Sequence, residues 1–320
     1  MSSLPPLRFT PLFRRYLWGG RRLATVLGKD VGEESAAESW ELCDRHDDQS
    51  VVATGPLAGK SLGELVREWG PELLGRHAPQ PRFPLLFKFI DARQTLSVQV
   101  HPDDARAALL QPPDLGKTEA WYVLAAEPGS VIYAGLKRGV DRAMLAREVA
   151  RGTSDLCLNK FAAQPGDCYF VPAGLPHAIG AGLLVAEIQQ SSDTTYRLFD
   201  FNRLGPDGQP RALHVEQALE AIDYNMHTTG PLAATPLEQP SGERLAACDK
   251  FVLDRWTLTA PASLGEFERC HFLAVVEGKA TLPGDSTPLR AGDTVLLPAS
   301  AGPIAVQPIG RAVLLDAYLP

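Results

Sequence analysis

Glycine and proline punctuate this chain more than any other feature of it. The 28 glycines and 27 prolines are 55 of its 320 residues, above the roughly 12% of average usage, and the apolar runs between them are short. FVLDRWTL, HFLAVVEGKATL, DTVLLPA and AVLLDAYL near the C-terminus, and the pieces of PGDCYFVPAGLPHAIGAGLLVAEIQQ in the middle, read as strands separated by turns. Helical signals are few. Ser61 with Glu64 forms a capping box ahead of Leu62, Leu65, Val66 and Trp69, with Pro71 ending or breaking the helix. Asp103 or Asp104 starts a short helix, and Asp141 caps DRAMLAREVA, whose Met144, Leu145 and Val149 are assigned to the core. HVEQALEAI places Val215, Ala218, Leu219 and Ile222 on one face. Many short strands with few helices predict a mainly β chain of jelly-roll or related barrel domains.

The net charge of −7 and pI near 5.6 argue against a nucleic-acid or membrane-surface binder. Five scattered cysteines without a CxxC read as free thiols of a reducing compartment. MSSLPPLRFTPLFRR lacks an apolar core of signal-peptide length, and no run approaches the ~18 apolar residues of a membrane span. A cytoplasmic, monomeric protein is expected. GPLAGKS, Gly55 to Ser61, imitates a phosphate loop but has three residues between its glycines where that loop needs four. Trp18 and Trp40 are read as core aromatics.

Chemistry concentrates between Thr95 and Glu119. In the strand LSVQVHP, stopped by Pro102, alternation turns Ser97, Gln99 and His101 to one face. Glu119 follows eighteen residues after His101 at the head of EAWYVLAA, and His177 ends GDCYFVPAGLPH just past a Gly/Pro turn. Gln99, His101, Glu119 and His177 together make a candidate metal shell. Lys88 interrupts the apolar PLLFKFIDA, read as a strand-edge lysine or one aimed into a cavity. Lys117 lies in the loop before Glu119, and Arg197 in the strand-like TTYRLF.

Gly166, Pro172, Gly174 and His177 are spaced as in the second motif of the cupin jelly rolls. More specifically, FPLLFKFIDARQTLSVQVHPDD, GKTEAWYV, AGLPHAIGAG and EIQQSSDTTYRLFDFNR, supported by WGG, ESWELCD, GPLAGKSLGEL and LHVEQAL, resemble the type I mannose-6-phosphate isomerases of short bacterial form over about residues 8–225. Ala120 stands where many relatives have Cys and Ser191 where Asn is expected; neither change removes a ligand. The resemblance implies one Zn²⁺ per chain on Gln99, His101, Glu119 and His177, and interconversion of mannose 6-phosphate and fructose 6-phosphate through a cis-enediol(ate). It makes Arg197, Lys117 and Lys88 the cations for the oxyanion or the phosphate, and Glu187 an active-site carboxylate, with Asp193 near Arg197. Glu187, Lys117 and zinc-bound water remain alternatives for the base.

Gly292-DTVLL-Pro298 repeats Gly166-DCYFV-Pro172 without a histidine in the slot of His177. The expected architecture is two cupin-type jelly rolls, the C-terminal one degenerate, with a few inserted helices. Residues 1–210 hold the metal-binding catalytic cupin, 211–240 a helical connector and linker, and 241–320 the degenerate cupin. Two rivals stay open: a non-haem iron oxygenase, since two His and one carboxylate suit that metal, and a non-catalytic sugar-binding or regulatory cupin.

Overall fold

The computed structural model describes residues 3–205, 208–226, 230–284 and 287–320. Strands hold 40% of the chain and helices 15%, which makes it mainly β as the turn-rich sequence requires. Among the described residues no helix is long and apolar enough to cross a membrane. The chain folds as two compact units, one of Met1–Arg14, Arg21–Phe89 and Ala233–Pro320, the other of Arg15–Gly20 and Ile90–Leu232. Compactness thus groups residues differently from a linear division at 210 and 240, because a strand's place in a sheet is set by its partners and not by its neighbours in sequence.

In the second unit, one sheet has the order Leu158–Ala162, Val131–Leu136, His177–Ile179, Val98–Val100, Tyr196–Phe199. Another row of antiparallel strands is Cys168–Val171, Glu119–Ala126, Leu183–Gln190. Alternation along the first sheet divides its side chains. Val98, Val100, Ala178 and Leu198 enter an apolar cluster with Leu145, Ala218 and Leu219 of the helices Arg142–Arg151 and Val215–Ala221 and with Ile222 just past the second. Gln99 pairs with His177 on one side and with Arg197 on the other; directly opposed residues share a face, so all three turn away from that cluster.

The short helices follow their caps. Ser61 and Glu64 form both bonds of the capping box on Leu62–Glu68, and Pro71 sits in the first turn of a second helix, Gly70–Leu74, where its missing N–H costs nothing. Asp103 and Asp141 cap Asp104–Ala107 and Arg142–Arg151. Met144 departs from expectation: it is exposed, because the buried stripe of its helix runs through Leu145 with Val149 beside it.

The first unit is built on an eight-stranded sheet around the long antiparallel pair His271–Thr281 and Ile304–Tyr318. Its core includes Trp256, Leu273, Val275, Leu297 and Leu314. Residues far apart in sequence close this unit: Phe87 meets Phe272 with ring centroids 5.0 Å apart, and Thr294 donates to Glu41 at 3.2 Å. Truncation after Asn225 is therefore expected to strip the cover from buried Phe87, which meets Phe272, and Leu7, which bridges to Leu296, and to cause aggregation. A soluble, cooperatively melting truncated chain would show that this packing is dispensable.

The sequence repeat is a structural repeat. Gly166 and Gly292 share φ of 95°, a conformation that favours glycine. Gly166 N–H donates to Val123 (2.9 Å) as Gly292 N–H does to Val275 (2.8 Å), and Asp167 and Asp293 accept from the N–H of Gln164 and Arg290. Register then aligns the two jelly rolls residue by residue. Glu119 lies opposite Val171 and His271 opposite Leu297, the residues before Pro172 and Pro298. Two positions further along, Glu187 lies opposite Trp121 and Asp316 opposite Leu273.

Candidate active site

His101, Glu119 and His177 converge, their ligand atoms all within 4.8 Å of one another, and are buried. His101 Nε2 is 3.5 Å from Glu119 Oε2, and His177 Nε2 is 3.4 Å from Glu119 Oε1. Each ring is oriented by a backbone carbonyl, His101 Nδ1 on Thr194 O (3.0 Å) and His177 Nδ1 on Leu175 O (2.8 Å). A carbonyl only accepts, so both Nδ1 atoms carry the proton and both Nε2 lone pairs face the carboxylate. Gln99 brings its amide to 3.4 Å from His177 Nε2 while its Oε1 accepts from Ser97 at 3.3 Å. The side-chain alternation expected of LSVQVHP is present.

This donor set fits a divalent cation. Glu119 Oε1 is buried without a hydrogen bond, a costly state for a carboxylate oxygen unless a cation approaches it. Burial, with Lys117 adding to it, pushes His101 down from 6.5 to about 4, and burial also lowers His177, so both rings are neutral at neutral pH. Between pH 4 and 6.5 an unfolded chain binds the proton that the folded His101 refuses, so the ring's contribution to stability grows as pH rises through that window. Burial alone would raise the Glu119 carboxyl; the Lys117 charge foremost, with the adjoining His101 and His177, overrides it and holds it well below the usual range.

Lys117 is 3% exposed, with Nζ 2.5 Å from Glu119 Oε2, 3.2 Å from His101 Nε2 and 3.6 Å from Glu187 Oε1. Its loop is held tightly: Gly116 N–H donates to Asp104 Oδ1 at 2.8 Å, and a Cβ at Gly116 would stand 2.5 Å from Asp104 N. Glu187, also buried, accepts from Trp121 Nε1 at 2.8 Å, and Trp121 meets the His177 ring edge-on.

Arg197 shares the face of Gln99 and His177. Its backbone N–H donates to His214 Nδ1 (3.2 Å), its Nη1 to Ala212 O (2.9 Å), and its buried Nε has no hydrogen-bond partner. Burial lowers its pKa, and Arg211 adds to this while Asp200 opposes it. Asp193 is exposed in the loop before this strand. Lys88 lies in the other unit, buried, with Nζ 3.5 Å from Glu38 Oε2 and 5.7 Å from the Trp40 ring centre.

Sequence reasoning did not find a cavity of about 500 Å³ lined by Arg15, Tyr16, Trp18, Asp200, Arg203 and Arg211 among others. Asp200 accepts from Arg211 Nε (2.7 Å) and Nη2 (2.6 Å) and from Arg203, which fixes both guanidinium groups at the wall. The only trace in the sequence was the arginine spacing in YRLFDFNR and QPRALH. Trp18, expected in the core, is buried and lines this cavity too.

A mainly β chain with a buried imidazole–carboxylate group in one jelly roll and a matching repeat in the other is a double cupin with a metal-type centre. Residues 7–122 match the family described as phosphomannose isomerase type I, catalytic domain, and residues 243–315 the mannose-6-phosphate isomerase cupin domain. The chain is 35% identical to mannose-6-phosphate isomerase ManA of Bacillus subtilis over 97% of its own length and 98% of that protein's. It is also 35% identical to the mannose-6-phosphate isomerase of Streptococcus mutans, over 92% of each. The crystal structure of a Bacillus subtilis mannose 6-phosphate isomerase superposes with a TM-score of 0.90 at 31% identity, covering 98% of this chain and 99% of that one. The chain belongs to the type I mannose-6-phosphate isomerase family, and is an isomerase.

Proposed function

We propose that this chain interconverts mannose 6-phosphate and fructose 6-phosphate with one zinc ion held by Gln99, His101, Glu119 and His177. The observation that carries the reading is the meeting of Lys117 Nζ with Glu119 Oε2 and His101 Nε2 in one buried pocket, which sets a proton-carrying group beside a cation-type donor set. Zinc, when bound, would supply Lewis-acid polarisation of the sugar oxygens. The remaining steps belong to side chains. The C2 proton leaves the open-chain sugar and returns at C1, while a hydroxyl proton moves between O1 and O2; Lys117 is the group we assign to the carbon proton, with Glu187 behind it. Arg197 is assigned to the enediolate oxygen, and Arg203 and Arg211, across the cavity they share with Trp18, to the phosphate. The C-terminal jelly roll is assigned no step of this reaction, since the group of three metal-type ligands found among the described residues is His101, Glu119 and His177.

A coupled assay of mannose 6-phosphate turnover, with and without chelation and zinc restoration, tests the reading. Turnover indifferent to chelation would remove the metal, and oxygen uptake by iron-loaded protein without isomerisation would replace the reaction itself. Arg197→Ala is expected to lower kcat on the order of 100- to 1,000-fold at normal zinc content, with KM changing much less. A rise in KM alone would move Arg197 to the phosphate, and unchanged kinetics would leave it a structural residue on its strand.

A further inference from the structure

The C-terminal jelly roll keeps a cavity where the catalytic one keeps its site. By register, His271 stands at the position of Glu119 and Asp316 at that of Glu187. Both line a cavity of about 240 Å³ with Arg244, Asp254, Trp256 and Tyr318. Most of these groups are tied to each other. His271 Nδ1 bonds Asp316 Oδ1 at 2.9 Å, Tyr318 donates to Asp254 at 2.7 Å, Arg244 pairs with Asp254 and donates to Tyr318, and the His271 and Tyr318 rings lie 4.4 Å apart. Two atoms are not tied. His271 is 6% exposed and Trp256 7%, and neither His271 Nε2 nor Trp256 Nε1 has a hydrogen-bond partner. Buried polar atoms of this kind cost free energy unless something in the cavity meets them.

We propose that this cavity is a second binding site, for a small uncharged polyhydroxy compound such as a free sugar or polyol, which bonds His271 Nε2 and Trp256 Nε1 through its hydroxyls. An indole N–H only donates, so the ligand must accept there. His271 can accept or donate at Nε2, and a hydroxyl answers either. Burial would lower the His271 pKa, and the neighbouring Asp316 carboxylate overrides it and raises it. Even with His271 protonated, it and Arg244 face Asp254, Asp316, Glu238 and Glu266, the last paired with Arg269, so the walls offer no net positive charge to a phosphate. Aromatic walls carrying a few convergent polar groups are the usual make-up of a small-molecule site.

The test is the indole N–H resonance of Trp256 in the ¹⁵N-labelled full chain, assigned by its loss in Trp256→Phe and followed with D-mannose, D-fructose, mannitol and inorganic phosphate in turn. At least one uncharged probe is expected to shift it saturably while phosphate does not. In Trp256→Phe, checked for an unchanged melting transition, calorimetric affinity for that probe should fall roughly fivefold to tenfold, the value of one neutral hydrogen bond, with isomerase turnover unaltered. A resonance unmoved by all three uncharged probes would leave the cavity to water, and a shift with phosphate equal to or above theirs would make it an anion site; either result overturns the proposal. The outcome is independent of the catalytic reading, because the reporter lies in the other jelly roll.

Discussion

His177→Ala is expected to empty the metal centre and, with it, to lower kcat on the order of 10³–10⁴-fold. His177 is held rigidly: Leu175 O takes its Nδ1 proton, Trp121 packs on its ring, and Gln99 and Glu119 face its Nε2. Alanine removes the lone pair and leaves a buried space in its place. The activity lost corresponds to the several kcal/mol of charge stabilisation that a Lewis acid supplies. Metal analysis of the purified variant should find far less than one zinc per chain, as it should for His101→Ala, whereas His271→Ala should keep full occupancy. Full occupancy in both His101→Ala and His177→Ala would sink the ligand assignment.

Lys117→Met separates proton transfer from metal binding. Methionine keeps the length and apolar stem of the lysine, so the loop anchored by Gly116 on Asp104 should fold as before. What disappears is the group 2.5 Å from Glu119 Oε2 and 3.2 Å from His101 Nε2. Losing a positioned acid–base group costs roughly 10²–10⁴-fold in kcat, and zinc content should hold, because the imidazoles and the carboxylate remain. Solvent exchange of the C2 proton should fall together with turnover. A variant that isomerises slowly yet exchanges that proton at the normal rate would take the base role from Lys117 and leave Glu187 as the group to test next.

The centre was legible because period-2 alternation is a local property. Ser97, Gln99 and His101 had to share a face if LSVQVHP was a strand, and the Gly166 to His177 turn had to send a ligand back across the sheet. The arginine cavity was not legible. Arg15 and Trp18 come from the first twenty residues and Asp200, Arg203 and Arg211 from a loop about 180 positions later, and no local rule brings such segments together. Met144 failed for a related reason: a helix's periodicity gives a stripe, but its width is set by what covers it, and here Leu145 takes the centre.

What the sequence alone determined was the strand-rich class, the helix caps and the repeated Gly–Asp turn, all consequences of backbone conformation and spacing within a dozen residues; the candidate metal set, spread from Gln99 to His177, came from combining several such motifs. Tertiary structure decided which strands share a sheet, and so decided that residues 21–89 and 233–320 make one unit and that Lys88 lies with Glu38. It also decided that His271, which looked isolated in sequence, takes the position in its own sheet that Glu119 takes in the other jelly roll. Strand pairing rests on hydrogen bonds between segments whose separation along the chain carries no information about their distance in space, so those facts exist only once the sheets have formed.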